Sequence, residues 1–199
     1  MLRSCPGQDG YMNVGVLLYH HVGEFEVAAP TAVLGSARRF QGDDATIEPF
    51  TVARSRFSVQ TVSGLTLTPK WAFASVPRTD VLIVPGGLGV ERAAKDLATI
   101  RFLATTSSRA TVVAAIGSGA VLLGVAGVLR DQNICGPPEL LERLEEFEVG
   151  EHRQEALVRN PTGVWCAGTP DAGVDLALAL VREHAGPDLA RKVATALGC

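Results

Sequence analysis

The sequence predicts an α/β protein: an open, mostly parallel sheet sandwiched by helices, with one small hairpin. Three observations carry that expectation. Short apolar runs lie within Val14–Tyr19, Asp80–Pro85 and Thr111–Ile116, the pattern of strands buried on both faces. Segments with helical spacing separate these runs, as right-handed crossovers require. Each run also ends in a polar or glycine-rich junction, where sheets of this kind place their ligands.

The elements follow in order. Pro6, Gly7, Asp9 and Gly10 cluster ahead of any apolar run, so residues 1–12 read as a flexible tail and residues 13–199 as a single domain. After the first strand, a polar junction with His20, His21, Gly23 and Glu24 leads into a helix over Phe25–Ala37, whose Phe25, Ala29, Ala32 and Val33 share a face. Thr46–Ala53 and Val59–Thr68 are rich in β-branched residues and read as strands or a hairpin. The second buried strand stops at Pro85-Gly86-Gly87, and Val90–Ser107 is one amphipathic helix. The third runs into Gly117-Ser118-Gly119 and then a helix reaching Leu129. Beyond Pro137-Pro138, an acidic stretch with Leu140, Leu141 and Leu144 at helical spacing reads as a solvated face. Ala156–Ala167 is a hairpin turning at Asn160–Gly163, and helices cover Asp171–Glu183 and Pro187–Leu197.

Composition narrows the function. Eighteen Lys and Arg against 21 Asp and Glu leave a net charge of −3, without the basic surplus of a nucleic-acid binder. The apolar runs are too short to span a bilayer, and the first residues lack a secretory apolar stretch. Cys5, Cys135, Cys166 and Cys199 form no CxxC pair, so neither zinc nor a disulfide framework is expected. A cytoplasmic protein acting on a small molecule, with no metal or other cofactor, is the expectation. Abundant Gly, Ala, Val and Arg with few Lys suggest a GC-rich bacterial genome and, by analogy, specialised metabolism.

Chemistry concentrates at two junctions. In Val113–Gly119 a buried strand turns sharply into a helix, so its first amides point toward one spot and can hold an anion or oxyanion. Glycines in such a turn also serve close helix–sheet packing. Glu26 sits where a strand ends and a helix begins, among Phe25, Val27, Ala28 and Ala29. An acid in so apolar a setting has a raised pKa and can shuttle a proton near neutrality, although a first-turn acid also suits the helix dipole.

Val14–Pro30 (VGVLLYHHVGEFEVAAP), Asp80–Gly87 (DVLIVPGG), Ala115–Leu129 (AIGSGAVLLGVAGVL) and Ala172–Leu178 (AGVDLAL) together resemble the ThiJ/PfpI superfamily of class I glutamine-amidotransferase-like proteins. The pattern is nearest to its isocyanide-hydratase-like branch and to the amidase-like domains of AraC-type regulators. The resemblance implies a flavodoxin-like sandwich, usually a homodimer, with a pocket made from an acid after the first strand, an elbow cysteine and backbone amides. The acid falls on Glu26 and the glycine pair supplying an oxyanion amide on Gly86-Gly87. Leu123–Leu129 fixes the register of the elbow and puts Gly117 where the cysteine belongs, with Ser118 after it. Where the family often has Thr-Thr-His-Trp, this chain reads Cys135-Gly136-Pro137-Pro138. The nucleophilic thiol and a nearby histidine are both absent from the pattern.

The expectation is a cysteine-independent lyase or isomerase that hydrates, dehydrates or cyclises a small carbonyl-bearing metabolite. Glu26 is its general acid/base, and the amides of Gly87 and Ser118 form the oxyanion site. Asp171, at the start of a helix the family places against the pocket, is either a helix-end acid or a second carboxylate dividing acid and base roles with Glu26. Gly87, Leu88, Gly117, Gly119, Cys135, Pro137, Pro170 and His21 are expected to line the substrate pocket. The alternatives are a non-catalytic ligand-sensing or structural dimer, and a thiol enzyme using Cys135. Ser118 as nucleophile would need a base that the pattern does not supply. Cys135, Cys166 and the loop histidines His20 and His21 have plain structural roles available as core and solvated groups.

Overall fold

A computed structural model describes residues 10–199. The core is a seven-stranded sheet. Its strands are β1 (Met12–Leu17), β2 (Ile47–Ala53), β5 (Trp71–Ala72), β6 (Val81–Val84), β7 (Val112–Ile116), β8 (Leu157–Arg159) and β9 (Val164–Ala167). They lie in the order β5-β2-β1-β6-β7-β9-β8, parallel except for β8 against β9. The expected tail overreached at its end: Met12 opens β1, is buried, and donates its N–H to Thr46 O. The remainder of that tail, up to Asp9, lies outside the described residues.

Every residue of β6, β7 and β9 is buried, as expected of strands covered on both sides. Val84 pairs with Ala115 and Ile116 with Ala167, so β6, β7 and β9 finish at one edge of the sheet. One face is covered by α1 (Glu24–Gln41), α6 (Ala172–Ala185) and α7 (Pro187–Leu197), which pack on each other. The other carries α2 (Val90–Ala94), α3 (Leu97–Ser107), α4 (Gly119–Val125) and α5 (Pro138–Leu144). Among the described residues no helix is long and apolar enough to cross a membrane.

The departures have local causes. The single helix expected over Val90–Ser107 is two, because the Asp96 side chain accepts the Ala98 N–H and the Thr99 hydroxyl and so starts a new helix. The helix expected to reach Leu129 stops at Val125, where Gly127 takes φ +75°. Val59–Thr68 resolves into the hairpin β3 (Val59–Gln60) and β4 (Thr66–Leu67), tied back to the first junction by the bridge between Val22 and Thr61. Two-residue β5 had no periodicity long enough to predict it.

Candidate active site

The elbow after β7 is formed by glycine. Gly117 takes φ +50° and donates its N–H to Ala167 O at 2.9 Å, locking the turn to the end of β9. A Cβ on Gly119 would lie 2.1 Å from Val84 O, so only glycine lets α4 begin so close to β6. Gly117 is buried and Ser118 partly so. Among the described residues the Ser118 N–H has no internal acceptor.

Glu26 enters from the opposite loop. It lies in the first turn of α1, only 7% exposed, and its Oε2 accepts the Gly86 N–H. Gly86 O in turn accepts from Gly23 N at 2.8 Å, so the loops after β1 and β6 are clamped in both directions. Burial lifts the Glu26 carboxyl from the ordinary 4.5 to about 7, against the lowering effect of the Gly86 N–H. The spot that a side chain at 117 would occupy is 3.5 Å from Glu26 Oε2 and 3.7 Å from Oε1. The carboxyl therefore faces the elbow position that the sequence pattern reserves for a thiol.

The two glycines after β6 bring the parts together. A Cβ on Gly86 would meet Ser118 Oγ at 2.5 Å and Glu26 Oε2 at 2.7 Å, so both oxygens flank one point. Gly87, at φ +134°, sits where a Cβ would strike Gly23 N and His21 O. The expected free amide at Gly87 is not free: it donates to Ser118 Oγ at 3.1 Å. That bond also corrects the reading of the hydroxyl. An oxygen accepting an N–H is less nucleophilic, and its own O–H becomes a better donor. Ser118 thus offers two donors, N–H and O–H, and among the described residues no histidine is hydrogen-bonded to its hydroxyl.

The other candidates differ in exposure and bonding. Asp171 is exposed, Thr169 lowers its pKa, and among the described residues no interaction joins it to Glu26. Leu88 is 82% exposed, and Pro170 and Pro137 are exposed too, the latter at the N-cap of α5. His21 is exposed; its backbone matters instead, at φ +60° with its carbonyl accepting from Gly89 N at 3.0 Å. Cys135 is buried, donating to Cys166 O at 3.0 Å, while Cys166 donates to Cys135 O at 3.4 Å. The Cys166 side chain and burial push the Cys135 thiol far up, so it is a core group and not a thiolate. Among the described residues no three His, Cys, Asp or Glu side chains converge as a metal-binding group.

One participant was missed. Tyr19 is buried, donates its hydroxyl to Pro85 O at 2.8 Å, and has its pKa raised by burial and then by the charge of Glu26. It holds the carbonyl of the same peptide whose Gly86 N–H binds the carboxyl. A phenol closing an otherwise apolar strand run was the available signal.

Comparison with known proteins agrees with this architecture. The model of the DJ-1/PfpI family matches residues 12–183. An isonitrile hydratase from Pseudomonas putida is 29% identical over 185 residues, covering 92% of this chain and 76% of that protein. The crystal structure of a ThiJ/PfpI family protein from Pseudomonas syringae superposes with a TM-score of 0.86 at 25% identity, covering 98% of this chain and 81% of that one. An AraC family transcriptional regulator from Pseudomonas putida shares the fold at a TM-score of 0.79 and 24% identity, covering 94% and 99%. With a superposing fold and a family match across nearly the whole described chain, the protein belongs to the DJ-1/PfpI family.

Proposed function

We propose that this protein is a hydratase-like lyase that works without a nucleophilic cysteine. Its substrate is a small molecule carrying a carbonyl or similarly polarisable bond. The observation that carries this is the Glu26 carboxyl, titrating at about 7 and facing the vacant side-chain position of Gly117. A group with that pKa exists in both protonation states near neutrality and so serves as base and then as acid. In hydration Glu26 removes a proton from water as the water oxygen bonds to the far carbon of an alkene conjugated with the carbonyl; in dehydration it removes the proton from the carbon beside the carbonyl. In both directions the electron pair moves to the carbonyl oxygen, and the resulting enolate takes hydrogen bonds from the Ser118 N–H and O–H, each worth about 3 kcal/mol when well aimed. The protonated Glu26 then returns its proton to carbon or to a departing hydroxyl, closing the cycle. The kinship with an isonitrile hydratase supports the hydration direction. We further propose a homodimer acting in solution, as the family pattern implies; its mass by light scattering at micromolar concentration tests this.

The test is turnover of a panel of small enones, hydroxy-carbonyl compounds and one isonitrile, followed by NMR. The wild-type chain, after iodoacetamide treatment, should convert at least one compound, and Glu26→Gln should not. Turnover abolished by iodoacetamide would return the protein to thiol chemistry. Compounds that bind but are never converted would favour a ligand sensor, a role consistent with the Gly87 amide being occupied by Ser118.

A further inference from the structure

A cleft of about 460 Å³ opens beside the candidate active site, on the far side of Tyr19. That size is typical of a small-molecule site, and the cleft lies beyond the carboxyl ends of β1 and β2, where α/β sheets bind ligands. Its lining is of two kinds. One is apolar, formed by Leu18, Tyr19, Ala53 and Val59, with Phe57 standing 83% exposed at the rim. The other carries Arg54, Arg92 and Lys95.

The charges there are unbalanced. Arg54 is paired with Asp96 at 3.1 Å, and Asp96 is already engaged in capping α3 through Ala98 and Thr99. Among the described residues neither Arg92 nor Lys95 has a carboxylate partner. They stand three residues apart at the end of α2, so they face the same side. Two unpaired cations in a cleft with apolar lining match an amphipathic anion. Free phosphate would satisfy the cations but leave that lining to water.

We propose that this cleft is a second binding site, for a small carboxylic acid with an aryl or short alkyl body. The carboxylate lies between Arg92 and Lys95, and the hydrocarbon rests on Leu18, Ala53 and Val59 against Phe57. Tyr19 is the wall shared with the Glu26 site, so an occupant would press on the residue that holds the Pro85 carbonyl.

Benzoate, benzyl alcohol and inorganic phosphate serve as probes in ligand-observed NMR titrations of the full chain. Benzoate should bind saturably and more tightly than either of the others. The Arg92→Ala/Lys95→Ala double variant, altered at two exposed positions, should weaken benzoate about tenfold or more. Phe57→Ala should weaken benzoate but not phosphate. Glu26→Gln should leave benzoate binding intact. The proposal is overturned if benzoate does not bind at millimolar concentration or if phosphate binds as tightly. It is also overturned if the double variant binds unchanged, or if Glu26→Gln removes binding, which would place the acid at the active site.

Discussion

Replacing Glu26 by Gln should make the protein more stable in alkaline buffer, by an amount set by the burial of that carboxyl. In the folded chain the group titrates at about 7, against an ordinary 4.5 once unfolded. Between those values the unfolded chain has released the proton and the folded chain still holds it. Below 4.5 both states are protonated and the full stability is present. As pH rises through the window, stability falls by about 1.36 kcal/mol per pH unit, roughly 3 kcal/mol in all, and above about 7 the loss is complete. Gln is neutral throughout and keeps an oxygen for the Gly86 N–H, so it lacks this dependence. Unfolding of both proteins by urea, near pH 4.5 and near pH 8.5, isolates the effect, because other titrating groups cancel in the difference. The Gln variant should gain about 3 kcal/mol relative to wild type across that range, or about 6–12 °C in Tm for a chain of this length. A difference that does not change with pH would mean that Glu26 ionises as an ordinary surface acid, and the catalytic assignment would fall with it.

The remaining expectations concern the same groups. On any substrate found, Glu26→Gln should lower kcat at least about a hundredfold, and the wild-type rate should titrate with an apparent pKa of about 7. Ser118→Ala should lower kcat by about 10²-fold while KM stays nearly constant, as loss of an oxyanion donor does; complete loss of turnover would instead indicate a nucleophile. Gly86→Ala should destabilise the fold by about 1–3 kcal/mol in thermal unfolding, since its Cβ would lie 2.9 Å from Ser118 N, a backbone atom that cannot swing aside. In the folded protein iodoacetamide should label exposed Cys199 and spare buried Cys135 and Cys166, read by mass spectrometry; modification of Cys135 in native buffer would contradict its burial.

The strands were legible because burial on both faces writes an uninterrupted apolar run, as in Val81–Val84 and Val112–Ile116. Glu26 was legible as an acid in apolar company. What could not be read is what depends on register between distant segments. The bond from Gly87 N to Ser118 Oγ joins residues 31 apart and exists only because β6 and β7 end at the same level. Tyr19 reaches Pro85 across 66 residues for the same kind of reason. Asp171 shows the converse: a helix-start acid looks alike in sequence whether it turns to a pocket or to solvent, and here it meets solvent. The break at Asp96 was visible in principle, as a capping side chain inside an amphipathic stretch whose continuous hydrophobic period concealed it.

The outer strands of the sheet bear on how copies of this chain can meet. β5 pairs with β2 only at Val52 and Ala53, leaving the earlier part of β2 as an open margin. Pro49 there has no N–H to offer, and Glu48 is occupied by Arg38 at 2.8 Å and Lys70 at 2.9 Å. The opposite margin, β8, is three residues long and antiparallel, with Arg159 fastened to Glu183 at 2.7 Å. Neither margin is a template on which another chain could add a strand, so growth into cross-β aggregates is discouraged at both ends. Among the described residues, this leaves helices, loops and the separate β3–β4 hairpin as the surfaces through which native copies can meet.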